Sequence, residues 1–317
     1  MAPSSTSSPP LRVLIAGTGI AGLTCAHKFL TDSRWSSTRL QITVVERKDR
    51  CGGRVKTMRE SSSSSSSCPS WYEAGASRIA HRHHRVRHLA HQLGCSEVPL
   101  PDTYDHHRAL KALHQRFDKA RQTFLAPYTT DVDKARALQT VTWKDLLTMV
   151  CPTRQERDAL VHRWGFLSVL QEMNAYDFWT HAMPQYTDTA YYTLQNGLQS
   201  LPDALLERLR KDVRVTVRMS TRLVHVERGA RGTLRVVLEK DGHASVLPLM
   251  KPSPKTATTH KETYDIVFLA LPAEALDEVD GEPARYTHLW NAVSRNRLIR
   301  CYARYADGVG VGPETKN

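Results

Sequence analysis

The chain has 317 residues, of which 40% are apolar and 24% charged, a composition typical of a globular protein with a buried core. No apolar run approaches the roughly 20 residues that a membrane-spanning helix requires, and residues 1–10 lack a secretory signal pattern, so we expect a cytoplasmic protein with no membrane partner. The net charge of +12 is spread over the whole sequence, which argues against nucleic acid as the main partner.

The first predicted strand, Leu11–Ala16, leads into a glycine motif typical of dinucleotide binding. Gly17 suits a tight turn, Gly19 lets backbone approach a pyrophosphate, and Gly22 lets a helix pack closely on the strand. The helix predicted over residues 20–30 directs its positive N-terminal end at the phosphates. The predicted cofactor contacts in this segment are Gly17, Gly19, Ile20, Ala21 and Gly22.

An acidic residue, Glu46, ends the next apolar run, Gln41–Val45, where it can accept hydrogen bonds from ribose hydroxyl groups. It follows Gly17 by 29 residues rather than roughly 20, because the polar stretch Thr31–Thr38 lengthens the connection. A carboxylate repels a 2′-phosphate, so this position argues against NADP.

A pair of glycines follows in residues 46–54, which read ERKDRCGGR. This stretch resembles the GG-doublet motif of the flavin-containing amine oxidase superfamily, and the resemblance implies FAD as the cofactor rather than NAD. Adjacent glycines let the chain pass close to a cofactor, and Arg54 can place a planar charged fork on a phosphate or over the flavin. The predicted contacts here are Glu46, Arg47, Gly52, Gly53 and Arg54.

Residues 71–79, WYEAGASRI, resemble the segment that L-amino-acid oxidases place beside the isoalloxazine ring. In that subfamily an arginine at the position of Arg78 clamps the substrate carboxylate. A guanidinium matches a carboxylate in geometry and in charge, which explains the use of arginine. The resemblance implies cofactor contacts at Gly75, Ala76, Ser77 and Arg78.

Weaker resemblances to the same family lie after residue 190. Residues 194–205 are similar to a family helix that begins with Leu-Pro, and the alternating stretch Val213–Val226 resembles the strand that brackets the adenine. That second resemblance picks out Leu223 as a cofactor contact. Residues 264–272 predict a buried strand that ends at Pro272.

The family's later substrate-domain elements, its lysine near the flavin and its second flavin-binding stretch have no counterpart after residue 306. We therefore expect a chain that is truncated at its C-terminus relative to the family, and we assign no catalytic residue.

The predicted fold is α/β, a doubly wound, Rossmann-like FAD-binding domain of the GG-doublet type with an inserted, largely helical substrate domain. Helical spacing of Leu110, Leu113 and Phe117 supports the helical part. The predicted divisions are a disordered tail at 1–10, the FAD-binding domain at 11–100 and 191–280, a flexible serine loop at 61–67, the helical substrate domain at 101–190, and an incomplete substrate-domain segment with a tail at 281–317.

Metal binding is not expected from the cysteines or the histidines. The six cysteines form no C-x-x-C pair, which indicates reduced thiols. His84, His88 and His91 have helical spacing, which is typical of a solvated helix face, and no Cys or carboxylate completes a ligand set.

The resemblance implies the oxidative deamination of L-amino acids. In that reaction the Cα hydride passes to the flavin, the imine hydrolyses to a 2-oxo acid and ammonia, and O2 reoxidises the flavin with release of hydrogen peroxide. The expected partners are a small-molecule amine or amino acid and O2, with a homodimer as a further expectation. Two alternatives stay open: a polyamine or monoamine oxidase or a desaturase, whose substrate lacks a carboxylate, and a truncated FAD-binding protein without catalysis.

Overall fold

A computed structural model describes residues 9–59, 71–100, 104–151, 153–155, 157, 173–182, 190–240 and 258–291. The predicted serine loop at 61–67 and the predicted C-terminal tail lie outside the described residues, as does most of the predicted N-terminal tail.

The strands follow one another along the chain as β1 (Leu11–Ala16), β2 (Leu40–Val45), β3 (Thr57–Arg59), β4 (Trp71–Glu73), β5 (Ile79–Ala80), β6 (Glu97–Pro99), β7 (Tyr191–Leu194), β8 (Val215–Arg218), β9 (Thr221–Arg228), β10 (Leu234–Lys240), β11 (Thr258–Tyr264), β12 (Ile266–Leu269) and β13 (Asp280–Gly281). The α-helices are α1 (Ile20–Thr31), α2 (His84–Gln92), α3 (Tyr104–Leu125), α4 (Asp131–Thr140), α5 (Trp143–Val150), α6 (Ala175–Asp177), α7 (Ser200–Arg210), α8 (Ala273–Leu276) and α9 (Thr287–Asn291). Short 3-10 turns lie at Ser33–Trp35, Ala230–Gly232 and Pro283–Tyr286, and a π-helical turn follows α6 at Phe178–Ala182.

A parallel sheet in the order β12-β1-β2-β8 forms the centre of the fold. Val13 and Ile15 of β1 pack with residues of α1 and α7 on one face, whereas Leu14 and Ala16 pack on the other face with β9, β10 and β11. Because successive strand residues point to opposite faces, the part of a strand that is covered on both sides must be apolar, as residues Val13–Ala16 of β1 are, whereas Arg12 lies in the less buried start of the strand. The α/β fold class predicted from the sequence is confirmed.

Smaller sheets surround this centre. An antiparallel sheet in the order β11-β10-β9 has β13 added in parallel to β9, and β3 pairs with β4 as a two-stranded ribbon. Strands β5, β7 and β6 form an antiparallel sheet in that order, which packs against α2 through Ile79, Leu194 and Ala90. The predicted substrate arginine, Arg78, lies between β4 of the ribbon and β5 of the three-stranded sheet.

The strand predicted over residues 264–272 differs from expectation. Tyr264 is buried but ends β11, and the parallel strand β12 covers only Ile266–Leu269. Among the described strands β12 pairs with β1 alone, so it lies at the edge of the sheet, and Phe268 is 38% exposed. The prediction of a buried strand is therefore wrong for β12, because an apolar sequence does not distinguish an edge strand from a central one.

The described part of residues 101–190 is helical and has its own apolar cluster. Phe117, Trp143 and Phe178 are each buried, and the rings of Trp143 and Phe178 stack with centroids 4.6 Å apart. A capping box between Thr142 and Asp145 begins α5. These contacts agree with the predicted helical character of the region, whereas the domain boundaries remain a prediction.

We expect Leu147→Ala to lower the free energy of unfolding by about 2–5 kcal/mol, because Leu147 on α5 is 1% exposed and its truncation leaves a cavity. Met149 on the same helix is 50% exposed and supplies the control, since Met149→Ala removes little buried contact. Urea denaturation followed by circular dichroism compares the two variants. Equal midpoints for both would contradict the packing assigned to α5.

Candidate functional site

The first glycine motif lies at the carboxyl end of β1, where the chain turns into α1. Gly17 has φ of +105°, and a side chain at Gly22 would overlap the carbonyl oxygen of Gly17. A Cβ placed on Gly19, by contrast, meets no atom of the described chain within 4 Å. Helix α1 begins at Ile20, and its N-cap residue, Gly19, has no side chain that could cap the first-turn N–H groups.

Glu46 lies directly after β2, beside the same turn. Its carboxylate accepts hydrogen bonds from the backbone N–H of Thr18 at 2.9 Å and from the Thr18 hydroxyl at 2.7 Å. The N–H of Lys48 donates to the other carboxylate oxygen at 3.0 Å. An ionised carboxylate offers about four acceptor positions, so capacity remains for a ribose hydroxyl. The sequence prediction missed the part played by Thr18, whose hydroxyl fixes the orientation of the acid.

The glycine pair contacts the first motif through the backbone. The N–H of Gly52 donates to the carbonyl of Thr18 at 2.9 Å, and Gly52 forms a parallel bridge with Gly19. Gly52 and Gly53 have φ of +97° and +57°, and a Cβ on Gly53 would lie 3.3 Å from the Cα of Gly19. The structure therefore brings the two predicted glycine motifs together at one place.

Arg50 holds the glycine pair in this conformation. Its guanidinium donates to the carbonyls of Cys51 at 3.0 Å, Gly53 at 2.8 Å and Val55 at 3.4 Å. The planar guanidinium thus donates hydrogen bonds to backbone carbonyl groups that, in a turn with positive φ, do not pair with a neighbouring strand. Arg50 was not among the predicted site residues, because the motif shows an arginine before the glycines without showing what it contacts.

A small polar cluster lies behind the turn, where Cys51, Gln199 and Asp203 meet. The Cys51 thiol donates to Asp203 Oδ1 at 3.2 Å, and Gln199 Nε2 donates to the same oxygen at 2.9 Å. Burial, followed by this hydrogen bond to Asp203, raises the pKa of the Cys51 thiol to about 12. The thiol therefore stays protonated and is not a nucleophile near neutral pH. Because the folded chain favours the protonated thiol, Cys51 contributes fully to the free energy of unfolding below about pH 9, the pKa of the unfolded thiol. This contribution is lost as the pH rises towards 12.

The third predicted motif runs beside the second. The N–H groups of Ala74 and Ala76 donate to the carbonyls of Lys56 at 2.8 Å and Arg54 at 3.0 Å. A side chain on Gly75 would overlap the carbonyl oxygen of Arg54, so this close approach requires glycine. Three segments therefore lie side by side in the site: the first glycine motif, then the glycine pair, and then the segment that ends in Ser77 and Arg78.

Glu73 anchors the start of that segment. Its buried carboxylate accepts hydrogen bonds from the Thr57 hydroxyl at 2.9 Å and from the backbone N–H of Leu198 at 2.6 Å. Thr57 in turn accepts from the N–H of Gln199 at 3.0 Å. The network joins β4, β3 and the turn before α7. Helix α7 is the helix that the sequence analysis identified by its Leu-Pro pair, and these hydrogen bonds connect its start to the predicted substrate segment.

The predicted arginines occupy different surroundings. Arg78 is exposed, and its guanidinium carbon lies 4.2 Å from the ring centroid of Tyr191. Arg54 is also exposed, on the turn that contacts the third motif. Arg47 instead points to Glu278, with an ion pair of 2.9 Å between two half-exposed side chains. A surface pair of this kind is weak, so Arg47 can exchange its partner for a phosphate.

Leu223 is the predicted residue farthest along the chain. It lies on β9, two residues after Thr221, whose N–H donates to the carbonyl of Glu46 at 2.7 Å. The Leu223 side chain is buried among Leu14, Val45 and neighbouring apolar residues. A contact between Leu223 and an adenine would therefore involve its backbone, and this contact remains a prediction.

The residues at this place fit a flavin dinucleotide. The open space at Gly19 admits a pyrophosphate against backbone N–H groups, and the remaining acceptor capacity of Glu46 suits a ribose. The nearby exposed side chains of Arg47 and Arg54 supply positive charge. In the described ranges no group of three or more His, Cys, Asp or Glu side chains is arranged to hold a metal ion, and no helix there is both long enough and apolar enough to cross a membrane.

Comparison with known sequences agrees with this geometry. Residues 20–277 match the sequence profile of the family described as flavin containing amine oxidoreductase. An L-glutamate oxidase precursor from Streptomyces viridosporus is 25% identical over 89% of this chain and 51% of its own length. An L-amino-acid oxidase from Bothrops jararacussu is 34% identical over 28% of this chain and 16% of its own length. The family resemblance drawn from the motifs is confirmed.

Solved structures of putrescine oxidase share the fold. The wild-type enzyme bound to putrescine superposes with a TM-score of 0.58 at 17% identity, covering 87% of this chain and 61% of that one. An A394C variant gives a TM-score of 0.60 and covers 89% of this chain and 63% of its own. The chain spans about half the length of the L-glutamate oxidase precursor that it matches over most of its own length.

Two alanine substitutions separate cofactor contact from packing. Gly19→Ala should leave the free energy of unfolding within about 1 kcal/mol of the wild type while weakening FAD binding at least tenfold, because its Cβ enters the open space. Gly22→Ala should lower the stability of the FAD-free chain by about 1–3 kcal/mol through its overlap with Gly17. Flavin fluorescence titration and urea denaturation measure the two effects. Unchanged FAD affinity in Gly19→Ala would refute the assigned pyrophosphate position.

Arg50→Lys should weaken FAD binding by about tenfold, since an ammonium cannot satisfy the separate carbonyls that the guanidinium fork contacts. Arg59→Lys is the matched control, because Arg59 is exposed and donates to the single carbonyl of Asn196 at 2.9 Å. Fluorescence titration with FAD compares both variants with the wild type. Equal losses in the two variants would show that Arg50 has no special part in shaping the glycine pair.

Proposed function

This chain belongs to the flavin-containing amine oxidoreductase family, and we propose that it oxidises the amine of an L-amino acid. FAD is the cofactor that this family membership identifies. When bound, FAD accepts the Cα hydride of the substrate and passes the electrons to O2. The proposed overall reaction converts an amino acid, O2 and water into a 2-oxo acid, ammonium and hydrogen peroxide.

The observation that carries the proposal is the position of Arg78. Main-chain hydrogen bonds run from the first glycine motif to the glycine pair and on to Ala76, two residues before Arg78. An exposed guanidinium therefore lies close along the backbone to the predicted cofactor cradle, where it can bind a carboxylate with two parallel hydrogen bonds. The amino-acid oxidases among the sequence relatives support a substrate that carries such a group.

In this proposal each predicted residue has a role in binding or orientation. Arg78 holds the substrate carboxylate and so orients the Cα–H bond, a contribution that positioning makes to the rate without acid–base chemistry. The N-terminus of α1 and the backbone at Gly19 bind the pyrophosphate, Glu46 binds the ribose, and the backbone of Leu223 borders the adenine. The segment Gly75–Ser77 borders the flavin ring. No residue is assigned as a catalytic base.

The proposed function predicts a selective effect of Arg78→Lys. The substitution should lower kcat/KM for amino acids at least tenfold and leave the value for the matching decarboxylated amines unchanged, because only the amino acids use the guanidinium fork. Arg85→Lys, at an exposed position on α2, is the control. A peroxide-coupled assay with added FAD, run over the twenty amino acids and their decarboxylated analogues, measures both sets of rates.

The alternatives give different results in the same assay. Turnover of polyamines or monoamines without turnover of any amino acid would favour an oxidase whose substrate has no carboxylate. Binding of FAD without turnover of either class would favour a non-catalytic flavoprotein. Equal effects of Arg78→Lys on both classes would mean that Arg78 has a structural role.

A further inference from the structure

Two adjacent tyrosines of β7 each lie beneath an arginine. The guanidinium carbon of Arg78 is 4.2 Å from the ring centroid of Tyr191, and that of Arg87 is 4.4 Å from the ring centroid of Tyr192. Successive residues of a strand point to opposite faces, so the two arginine–tyrosine pairs lie on opposite sides of the sheet. The same strand thus supports two cation–π pairs with different surroundings.

The backbone fixes Arg78 on the face of Tyr191. Strand β5 pairs antiparallel with β7, with Ala80 opposite Tyr191 and Ile79 opposite Tyr192. Continuing this register, Arg78 comes opposite Thr193, which makes Tyr191 its diagonal neighbour on the same face. Ile79 and Leu194 belong to the apolar cluster that packs on α2, so the face of Arg78 is the one directed away from that helix.

The face of Arg78 also carries an unused polar group. Thr193 is buried, and among the described residues its hydroxyl oxygen has no hydrogen-bond partner. Buried polar groups are normally paired, so an unpaired hydroxyl group on this face has the capacity to form a hydrogen bond with a polar ligand. This observation is independent of the stacking of Arg78 on Tyr191.

Stacking on a ring engages the flat face of a guanidinium rather than its hydrogen-bonding edge. The cation–π contact uses the flat face of the group, whereas its five N–H donors lie in the plane. A ring beneath the guanidinium therefore holds the plane in one orientation without occupying the donors that bind a carboxylate in bidentate fashion.

We propose that Tyr191 is a positioning residue that fixes the guanidinium plane of Arg78 and thereby sets the preference of the site for ligands that carry a carboxylate. This inference rests on the proposed function, because it takes Arg78 as the carboxylate anchor. Tyr191 acts through its ring face, so phenylalanine preserves the effect and leucine abolishes it. The hydroxyl group of Tyr191 has no part in it.

The neighbouring pair supplies a matched control. Arg87 forms a bidentate ion pair with Glu97, with Nε–Oε1 at 3.0 Å and Nη2–Oε2 at 2.8 Å, so its donors are occupied by the protein. Tyr192→Leu removes a ring from beneath an arginine on the same strand, one residue away, without touching Arg78. A general effect of weakening β7 would appear in both leucine variants.

The test measures ligand binding directly, by isothermal titration calorimetry on the purified 317-residue chain saturated with FAD. The probes are the carboxylates propanoate, 4-methylpentanoate and pentanedioate, with ethylamine and 3-methylbutylamine as amines that lack a carboxylate. We expect Tyr191→Leu to weaken carboxylate binding by about fivefold, and Tyr191→Phe and Tyr192→Leu to match the wild type. Amine binding should be the same in every variant.

The outcomes separate this inference from the proposed function. A wild-type chain without any preference for the carboxylates would overturn the proposed function and this inference with it. A wild-type preference that disappears in Arg78→Lys but persists in Tyr191→Leu would overturn this inference alone. A loss in Tyr191→Leu that Tyr191→Phe shares would assign the effect to the hydroxyl group, and an equal loss in Tyr192→Leu would assign it to the strand. Either result would overturn this inference. Circular dichroism on every variant checks that the fold is retained.

Discussion

Direct contact between two stretches of backbone, at Gly19 and at Gly52–Gly53, is the constraint on which the rest of the site depends. From it, main-chain hydrogen bonds continue through the carbonyl of Arg54 to the N–H of Ala76. The step to Ala76 needs a residue without a side chain at position 75, since a Cβ on Gly75 would overlap the carbonyl oxygen of Arg54. The position of Arg78 is thus set by backbone packing that begins at the parallel sheet.

The sequence predicted the parts of this arrangement that depend on local pattern. The bounds of β1 agree with the apolar run, and α1 extends one residue beyond the predicted helix end. The overlap of a Cβ on Gly22 with Gly17 is the close packing for which the motif uses glycine. Such features are readable because a turn or a close approach restricts the residue type at a single position.

The partners of side chains and the neighbours of strands were not readable in the same way. Tyr191 follows Arg78 by 113 residues, and no local pattern links the two positions. The motif shows an arginine at position 50 but not that its guanidinium binds three carbonyls of its own turn. The exposure of Phe268 was also missed, because an apolar run predicts a strand without stating how many neighbours that strand has.

The pairing of β3 with β4 has a consequence for how the chain can be altered. Arg59 and Trp71 form the last residue pair of the ribbon, so residues 60–70 connect two positions that lie opposite each other. The entropic cost of joining two fixed ends grows slowly with the length of the connection, by only about 0.6 kcal/mol for each doubling. An epitope or a dye-labelling peptide inserted there would leave the register of Thr57 with Glu73 untouched. A reporter introduced between Arg59 and Trp71 would thus enter the chain outside the paired residues of β3 and β4.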